Sequence, residues 1–191
     1  MPRVILASGS PRRRELLAQL YSEFEIITSE VDESLDDGVA PVNGVEILSV
    51  RKGRAVAQDL PSDCIVISSD TLVEIDGDPL GKPTSRDDAY NMLRRLSGNY
   101  HNVHTGVAVH HNGGVISGVA TARVKFKPIS DAEIYAYIDG GEPMDKAGAY
   151  AIQGEGGRFV EGYDGDFDTI MGLSVSLTKQ LIDEITGVKN D

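Results

Sequence analysis

The chain has 191 residues, 40% of them hydrophobic and 25% charged, which is typical of an ordinary globular protein. We predict one domain over residues 1–191, because this length fits a single hydrophobic core. Thirty acidic and eighteen basic residues give a net charge of −12, which argues against a general nucleic-acid-binding role but leaves room for a small polyphosphate held by local basic groups.

Cysteine content and hydropathy bear on the compartment. Cys64 is the one cysteine and lies in an apolar run, so it predicts a buried thiol and a reducing environment. No apolar stretch is long enough to span a bilayer or to form the core of a signal peptide. We therefore predict a cytoplasmic protein with no membrane partner.

The N-terminal elements are short and sharply bounded. Val4–Ala7 predicts a buried strand, and Pro11–Leu20 predicts a helix. Ser10 is its predicted N-cap, with proline at the first helical position, where a missing N–H costs nothing. The next strand is predicted at Phe24–Thr28.

A helix and a buried strand are predicted next. Val45–Leu60 has helical spacing, and Cys64–Ser68 is a nearly all-apolar run typical of a strand buried on both faces. Asp70 is expected just past the end of that strand. The residues predicted on the inward face of the helix are Ile47, Leu48, Ala55 and Val56.

The second half contains consecutive strands. Arg86–Leu96 predicts a helix, and Val103–His110 with Gly114–Phe126 predicts a hairpin. Alternating strands and helices followed by paired strands indicate an α/β protein with a mixed twisted sheet and flanking helices. Three further segments are predicted: a short helix capped by Ser130 and running to Ile138, a glycine-rich stretch at Gly140–Gly157 and a closing helix at Leu173–Ile185.

A basic turn near the N-terminus is the first candidate site. Residues 7–14 have the sequence ASGSPRRR, which combines hydroxyls, a helix N-terminus and three arginines. Helix N-termini favour anions, and arginine matches phosphate oxygens with two donors. Ser8, Ser10, Arg12 and Arg13 are therefore candidate phosphate ligands. A capped surface helix with solvated arginines explains the composition equally well.

Two carboxylates are candidates for chemistry. Asp70, with Thr71 beside it, follows a buried strand, and ligands of α/β sheets usually bind at the carboxyl ends of strands. A carboxylate there can bind Mg²⁺ or act as a general base. Glu33 is a candidate second metal ligand. The competing interpretations are a strand-ending turn for Asp70 and a solvated acidic loop for Glu33.

Two lysines and a glutamine complete the candidate set. Lys52 lies in the basic run RKGR, and Lys82 precedes a proline that stiffens the backbone. Gln153 ends a long glycine-rich loop, and its amide can donate to and accept from the edge of a base. His101 and His104 do not predict zinc, because residues three apart on a strand face opposite sides.

Taken together, these segments resemble the Maf family of nucleotide pyrophosphatases over almost the whole chain. The resemblance rests on short motifs in a fixed order. They are LASGSPRR at 6–13, SDT at 69–71, GKP at 81–83, SG at 97–98 with HNVHTGV at 101–107, GEPMDKAGAY at 141–150 and IQG at 152–154.

The resemblance implies a fold like that of inosine triphosphate pyrophosphatases, with two lobes around a central cleft. It implies hydrolysis of nucleoside triphosphates to monophosphate and pyrophosphate, with Mg²⁺ or Mn²⁺ as cofactor, and a homodimer. Asp70 matches the proton acceptor of the family. From the placement of charge, we expect Asp70 and Glu33 to bind the metal. Arg12, Thr71 and Gln153 match the base-selective residues of the branch that acts on dTTP and UTP. Phosphate binding is expected from Ser8, Ser10, Arg13, Lys52 and Lys82.

Three positions depart from the usual family pattern. Ser69 replaces an alanine, Ala151 replaces a glycine, and Gly172-Leu173-Ser174 replaces Gly-Leu-Pro. Two other functions stay open from the sequence. One is a pyrophosphatase for another base, such as methyl-GTP or inosine triphosphate, and the other is a regulatory interaction protein of cell division.

Overall fold

The computed structural model describes residues 2–188, and two compact units can be distinguished within them. The first unit comprises the residues up to Thr71, Thr105–Ala120 and the residues from Gly172 onward. The second unit comprises Leu72–His104 and Thr121–Met171. The single domain and the central cleft stay predictions.

The strands form one mixed sheet in the order β2-β1-β3-β5-β6-β7, with β4 paired to β3. β1 runs parallel to β2 and β3, whereas the β3–β4 and β6–β7 pairs are antiparallel. The predicted α/β class with a mixed sheet is confirmed. The strands are β1 (Val4–Leu6), β2 (Glu25–Ile26), β3 (Ile65–Ile75), β4 (Asp78–Leu80), β5 (Tyr100–His111), β6 (Gly114–Phe126) and β7 (Val160–Asp164).

Helices flank the sheet, and short 3-10 turns occupy the glycine-rich stretch. The α-helices are α1 (Pro11–Leu17), α2 (Pro41–Ala57), α3 (Arg86–Leu96), α4 (Asp131–Asp139), α5 (Phe167–Met171) and α6 (Val175–Thr186). The 3-10 turns are Glu142–Asp145, Ala147–Ala149 and Glu155–Phe159. No helix within residues 2–188 combines the length and the apolar character needed to cross a membrane.

Two helices were predicted well from local sequence. α3 has the bounds expected from the sequence, and Ser85 Oγ accepts a hydrogen bond from the backbone of Asp88. Ser130 starts α4 with a capping box, in which its side chain and that of Glu133 bind each other's backbone N–H groups. These helices were predictable because their signals are complete within one turn of chain.

Other boundaries were wrong. α1 ends at Leu17 instead of Leu20, and β2 covers only two residues of the predicted five-residue strand. α2 begins at Pro41 and not at Val45, because proline is favoured at the first position of a helix. Ile47 was expected inside but is 42% exposed. The buried face of α2 instead includes Val45, Leu48, Ser49, Gly53 and Val56.

β3 is longer than predicted, which changes the position of Asp70. The strand continues to Ile75, so Asp70 lies inside it and not beyond its end. The strand continues because Thr71, Val73 and Ile75 extend the alternating pattern that suits a pleated strand. The parallel pairing of β1 with β3 ends at Leu6↔Ile67. Asp70 therefore lies beyond the part of β3 that pairs with β1, although it is still within the strand.

In the first unit, α2 packs closely on the sheet through glycines. A Cβ on Gly106 of β5 would lie 2.3 Å from the carbonyl oxygen of Val45 on α2. About two turns further along α2, a Cβ on Gly53 would lie 2.4 Å from Ser68 Oγ. Helix and strand backbones therefore approach more closely here than any side chain allows, and this contact holds the helix that carries Lys52.

The second unit buries two histidines in structural contacts. His101 Nε2 lies 2.8 Å from the Tyr150 hydroxyl, and burial lowers the pKa of His101 to about 4. His104 lies 2.8 Å from both Glu74 Oε2 and Thr121 Oγ1. The two rings thus have different partners, as expected for strand residues three apart.

Candidate active site

Side chains in the middle of β3 alternate between two faces, as strand geometry requires. Ser68 Oγ donates to the carbonyl of Ser49 on α2 at 2.7 Å. Asp70 faces the same helix and accepts a hydrogen bond from Lys52 Nζ at 2.5 Å. The intervening and following side chains project to the opposite face. β3 therefore separates an acidic face from a hydroxyl-lined face.

Lys52 brings two carboxylates together on the acidic face. Its Nζ lies 2.5 Å from Asp70 Oδ1 and 2.9 Å from Glu33 Oε1. The side chains of Lys52 and Asp70 are only 19% and 13% exposed, whereas Glu33 is 62% exposed. The Lys52–Asp70 pair is therefore poorly screened by water and fixes the orientation of the Asp70 carboxylate. Glu33 and Asp70 therefore share Lys52 as a neighbour, and their role as metal ligands stays a prediction.

Arg13 is the centre of the hydroxyl-lined face. Its Nε donates to the carbonyl of Gly172 at 2.9 Å, and its terminal nitrogens donate to Ser8 Oγ at 3.4 Å and Thr71 Oγ1 at 3.3 Å. Thr71 Oγ1 also lies 2.9 Å from Thr105 Oγ1. Burial lowers the pKa of Arg13, although the charge of Asp70 opposes this. The guanidinium is thus anchored on three sides and remains a cation, since arginine does not lose its proton in proteins.

Gly172 is a site residue that the sequence analysis did not select. Its carbonyl accepts from Arg13 and also from Ser69 Oγ, at 2.6 Å. Its φ of +116° is unfavourable for a residue with a side chain, and a Cβ would lie 3.4 Å from both Arg13 Nε and Thr71 Oγ1. The sequence shows Gly172 only as part of a Gly-Leu-Ser segment that resembles the start of a helix. Its contribution to the site is a backbone carbonyl, which no side-chain type reveals.

Two departures from the family pattern have a local role in the structure. Ser69 is fully buried, and its hydroxyl holds the same carbonyl as Arg13. Ser174, where the family usually has proline, accepts a hydrogen bond from the N–H of Leu177 and caps α6. Ala151 is buried in the second unit. None of the three removes a group from the predicted site.

The serines of the N-terminal turn adopt different roles. Ser10 occupies the N-cap position of α1, as predicted, but its hydroxyl makes no cap hydrogen bond. Ser8 Oγ accepts from the N–H of Ser10 at 3.2 Å and from Arg13. Ser8 therefore shapes the turn, and the hydroxyl of Ser10 is not used by the helix.

The remaining predicted residues lie elsewhere. Arg12 is half-buried at the start of α1. Lys82 and Gln153 are exposed and belong to the second unit, where Pro83 next to Lys82 is buried. Their roles in phosphate and base binding stay predictions.

The donor set on the acidic face fits a hard divalent cation. Two carboxylates, Asp70 and Glu33, both contact Lys52 Nζ, and no group of three His, Cys, Asp or Glu residues that could hold a metal ion occurs in residues 2–188. Mg²⁺ is commonly held by one or two carboxylates, with water and substrate phosphates completing its shell. Carboxylate oxygens suit Mn²⁺ equally. The residues present are thus compatible with the cation that the resemblance implies.

Comparison with known proteins decides the family. Residues 3–185 match the family described as Maf-like protein. The chain belongs to the Maf family. This Maf protein is 46% identical over 189 residues to the dTTP/UTP pyrophosphatase of Hahella chejuensis, which covers 98% of this chain and 94% of the relative. It is also 46% identical over 180 residues to the dTTP/UTP pyrophosphatase of Vibrio cholerae, covering 94% and 96% of the two chains.

Solved structures confirm the fold. The Ham1 protein of Staphylococcus aureus superimposes with a TM-score of 0.53 at 14% identity, covering 98% of this Maf chain and all of that chain (100%). A Vibrio cholerae protein of known structure gives a TM-score of 0.52, also at 14% identity, covering 98% and 97%. At such low identity these similarities concern the fold alone.

Proposed function

We propose that this Maf protein hydrolyses dTTP and UTP to the nucleoside monophosphate and pyrophosphate. The main support for the proposal is the Asp70 carboxylate on β3, which Lys52 holds in place. On the opposite face of the same strand, Arg13 of α1 donates to Thr71. The same activity is named for the relatives with 46% identity over nearly the full chain.

The proposed chemistry uses charges that the fold already holds in place. A nucleoside triphosphate brings about four negative charges, so catalysis depends mainly on positioning and neutralisation. Arg13, Lys52 and Lys82 bind the phosphates, together with Ser8 and Ser10. Asp70 orients a water molecule and accepts its proton as the oxygen attacks the α-phosphorus. The bond between that phosphorus and the α–β bridging oxygen breaks, and pyrophosphate leaves with the bond electrons.

The proposed cofactor is Mg²⁺ or Mn²⁺, held by Asp70 and Glu33. When bound, it would neutralise phosphate charge and polarise the reacting phosphoryl group. Lys52 already contacts both carboxylates, so its ammonium supplies positive charge at the same place. The support for this proposal is that two carboxylates lie close together, each in contact with Lys52 Nζ.

Selectivity for a pyrimidine base is proposed for Arg12, Thr71 and Gln153, the positions that match the dTTP/UTP branch. The hydroxyl of Thr71 is held by Arg13 and Thr105. A site built to hydrogen-bond one base edge rejects other bases because its polar groups would stay unpaired. We also propose that the protein is cytoplasmic and, as the resemblance implies, a homodimer. Sedimentation equilibrium would test the dimer by measuring the mass of the protein in solution.

The experiment that tests the function is pyrophosphate release from a panel of nucleoside triphosphates, with and without Mg²⁺ or Mn²⁺. We expect release with dTTP and UTP that exceeds release with dCTP, GTP and inosine triphosphate, and that depends on the metal. Release that is strongest with a purine nucleotide would contradict the base assignment. A folded protein that releases no pyrophosphate from any nucleotide would contradict the enzymatic function.

Ser69 allows a separate test of how Arg13 is held. Ser69→Ala removes one of three donors to the Gly172 carbonyl, the others being Arg13 Nε and Thr71 Oγ1. The KM for dTTP should therefore rise about threefold to tenfold, in the lower part of the range of coupling between contacting residues. Ser68→Ala is the matched control, because this neighbour is equally buried and bonds only backbone carbonyls on the opposite face. Both variants should lose about 1 kcal/mol of stability. An equal rise in KM for both variants would contradict the role of Ser69.

A further inference from the structure

The loop that carries Gln153 is tightly folded in the second unit. Gln153 itself is exposed, in a turn in which the N–H of Gly154 donates to the carbonyl of Ala151 at 3.2 Å. A second turn follows, with the N–H of Gly157 donating to the carbonyl of Gly154 at 3.1 Å. Exposed glycine-rich loops are usually mobile. Some other contact must therefore fix this one if Gln153 is to select a base.

The carboxylate of Glu142 supplies that contact. Glu142 accepts hydrogen bonds from the backbone N–H groups of Glu155 and Gly156, each at 3.0 Å. Its Oε2 also accepts a very short hydrogen bond from the hydroxyl of Tyr137. Bonds to an ionised acceptor are roughly twice as strong as neutral ones. Glu142 thus holds the backbone just after Gln153.

Tyr137 holds the backbone on the other side of Gln153. Its hydroxyl oxygen accepts from the N–H of Ala151 at 3.3 Å while donating to Glu142. The Tyr137 side chain is fully buried, and its ring packs edge-on against Phe159 with the centroids 5.1 Å apart. The position of the phenol is therefore fixed by its packing. Burial raises the pKa of the Tyr137 hydroxyl, so the hydroxyl stays protonated and able to donate.

Glycines bring the loop close enough for these bonds. A Cβ on Gly154 would lie 2.0 Å from Glu142 Oε1, and a Cβ on Gly156 would lie 2.6 Å from the Tyr137 hydroxyl oxygen. No side chain fits at either position without a shift. The glycines of this loop therefore serve close approach to the Tyr137–Glu142 pair, and not flexibility.

We propose that Tyr137 and Glu142 are positioning residues for base selectivity, because they fix the backbone on both sides of Gln153. This inference rests on the proposed function, in which Gln153 contacts the pyrimidine. Neither residue has a part in phosphate binding or proton transfer in the proposed function. Its loss should therefore change which nucleotide is preferred far more than how fast the preferred nucleotide is hydrolysed.

The test compares Tyr137→Phe with the wild type on dTTP, UTP, dCTP and GTP. This substitution keeps the buried ring and removes only the hydroxyl that bonds Ala151 and Glu142. We expect the ratio of kcat/KM for dTTP to that for GTP to fall about tenfold, because misplacing a recognition group by a fraction of an ångström has effects of this size. Gln153→Ala should lower the same ratio at least as much.

Tyr150→Phe is the matched control. Tyr150 is also a buried tyrosine of the second unit, but its hydroxyl lies 2.8 Å from His101 Nε2 on β5 and is not part of the Tyr137–Glu142 pair. Thermal melting should show a comparable loss of stability in both variants, while the nucleotide preference of Tyr150→Phe stays that of the wild type. If Tyr137→Phe does not fold, Glu142→Gln serves instead, since it removes the charge and one of two acceptor oxygens.

Combining Tyr137→Phe with Gln153→Ala separates positioning from general damage. If Tyr137 acts through Gln153, the double variant should be no less selective than Gln153→Ala alone. Additive losses, an unchanged ratio, or an equal loss on all four nucleotides in Tyr137→Phe would overturn the inference. Wild-type protein that does not prefer dTTP or UTP would instead overturn the proposed function, and the inference with it.

Discussion

Asp70→Asn should lower the kcat for dTTP hydrolysis by about 100-fold or more, the usual contribution of a general base. Asparagine keeps the size of the side chain and an oxygen for the hydrogen bond from Lys52, which is 2.5 Å from Asp70 in the wild type. It cannot accept a proton from water. The loss should therefore appear in kcat, measured by pyrophosphate release at saturating nucleotide. The melting temperature should also fall, because Lys52 loses the charge of a largely buried partner.

Asp63→Asn is the control for this experiment. Asp63 is an exposed carboxylate two residues before β3, so the substitution makes the same change in charge away from the site. Its turnover should equal that of the wild type. Near-full turnover in Asp70→Asn would show that the proton is accepted by another group and would remove Asp70 from that role.

Gly106→Ala should destabilise the first unit by about 3 kcal/mol or more, at the upper end of the cost of overpacking. The added Cβ would lie 2.3 Å from the carbonyl oxygen of Val45 and 2.8 Å from the N–H nitrogen of Glu46. Both are backbone atoms within α2, so no side chain can rotate away to make room. Relief requires moving the helix that carries Lys52.

Urea denaturation measures this effect as a fall in the midpoint relative to the wild type. Gly162→Ala is the matched control, because no atom lies within 4 Å of its added Cβ and its φ is not positive. Its stability should stay within about 0.5 kcal/mol of the wild type. Equal midpoints for Gly106→Ala and the wild type would show that strand and helix are not in backbone contact.

Sequence alone determined the features whose causes are local. The start of α4 was predicted because its N-cap serine directly precedes the helical residues, and α3 was predicted from its helical period. The family also followed from sequence, because short motifs in a fixed order span residues 6–154. Asp70, Lys52 and Arg13 were selected for their chemistry before any distance was known.

Tertiary structure decided which of those groups meet. Lys52 and Asp70 are 18 positions apart, and Arg13 and the Gly172 carbonyl are 159 positions apart. No local pattern encodes such a contact, because it depends on how α2 and the segment before α6 pack against β3. The extent of β3 was also misjudged, since a strand continues wherever a neighbour satisfies its backbone. Side-chain chemistry is a property of the residue, whereas the partner of a carbonyl or a carboxylate is a property of the packed chain.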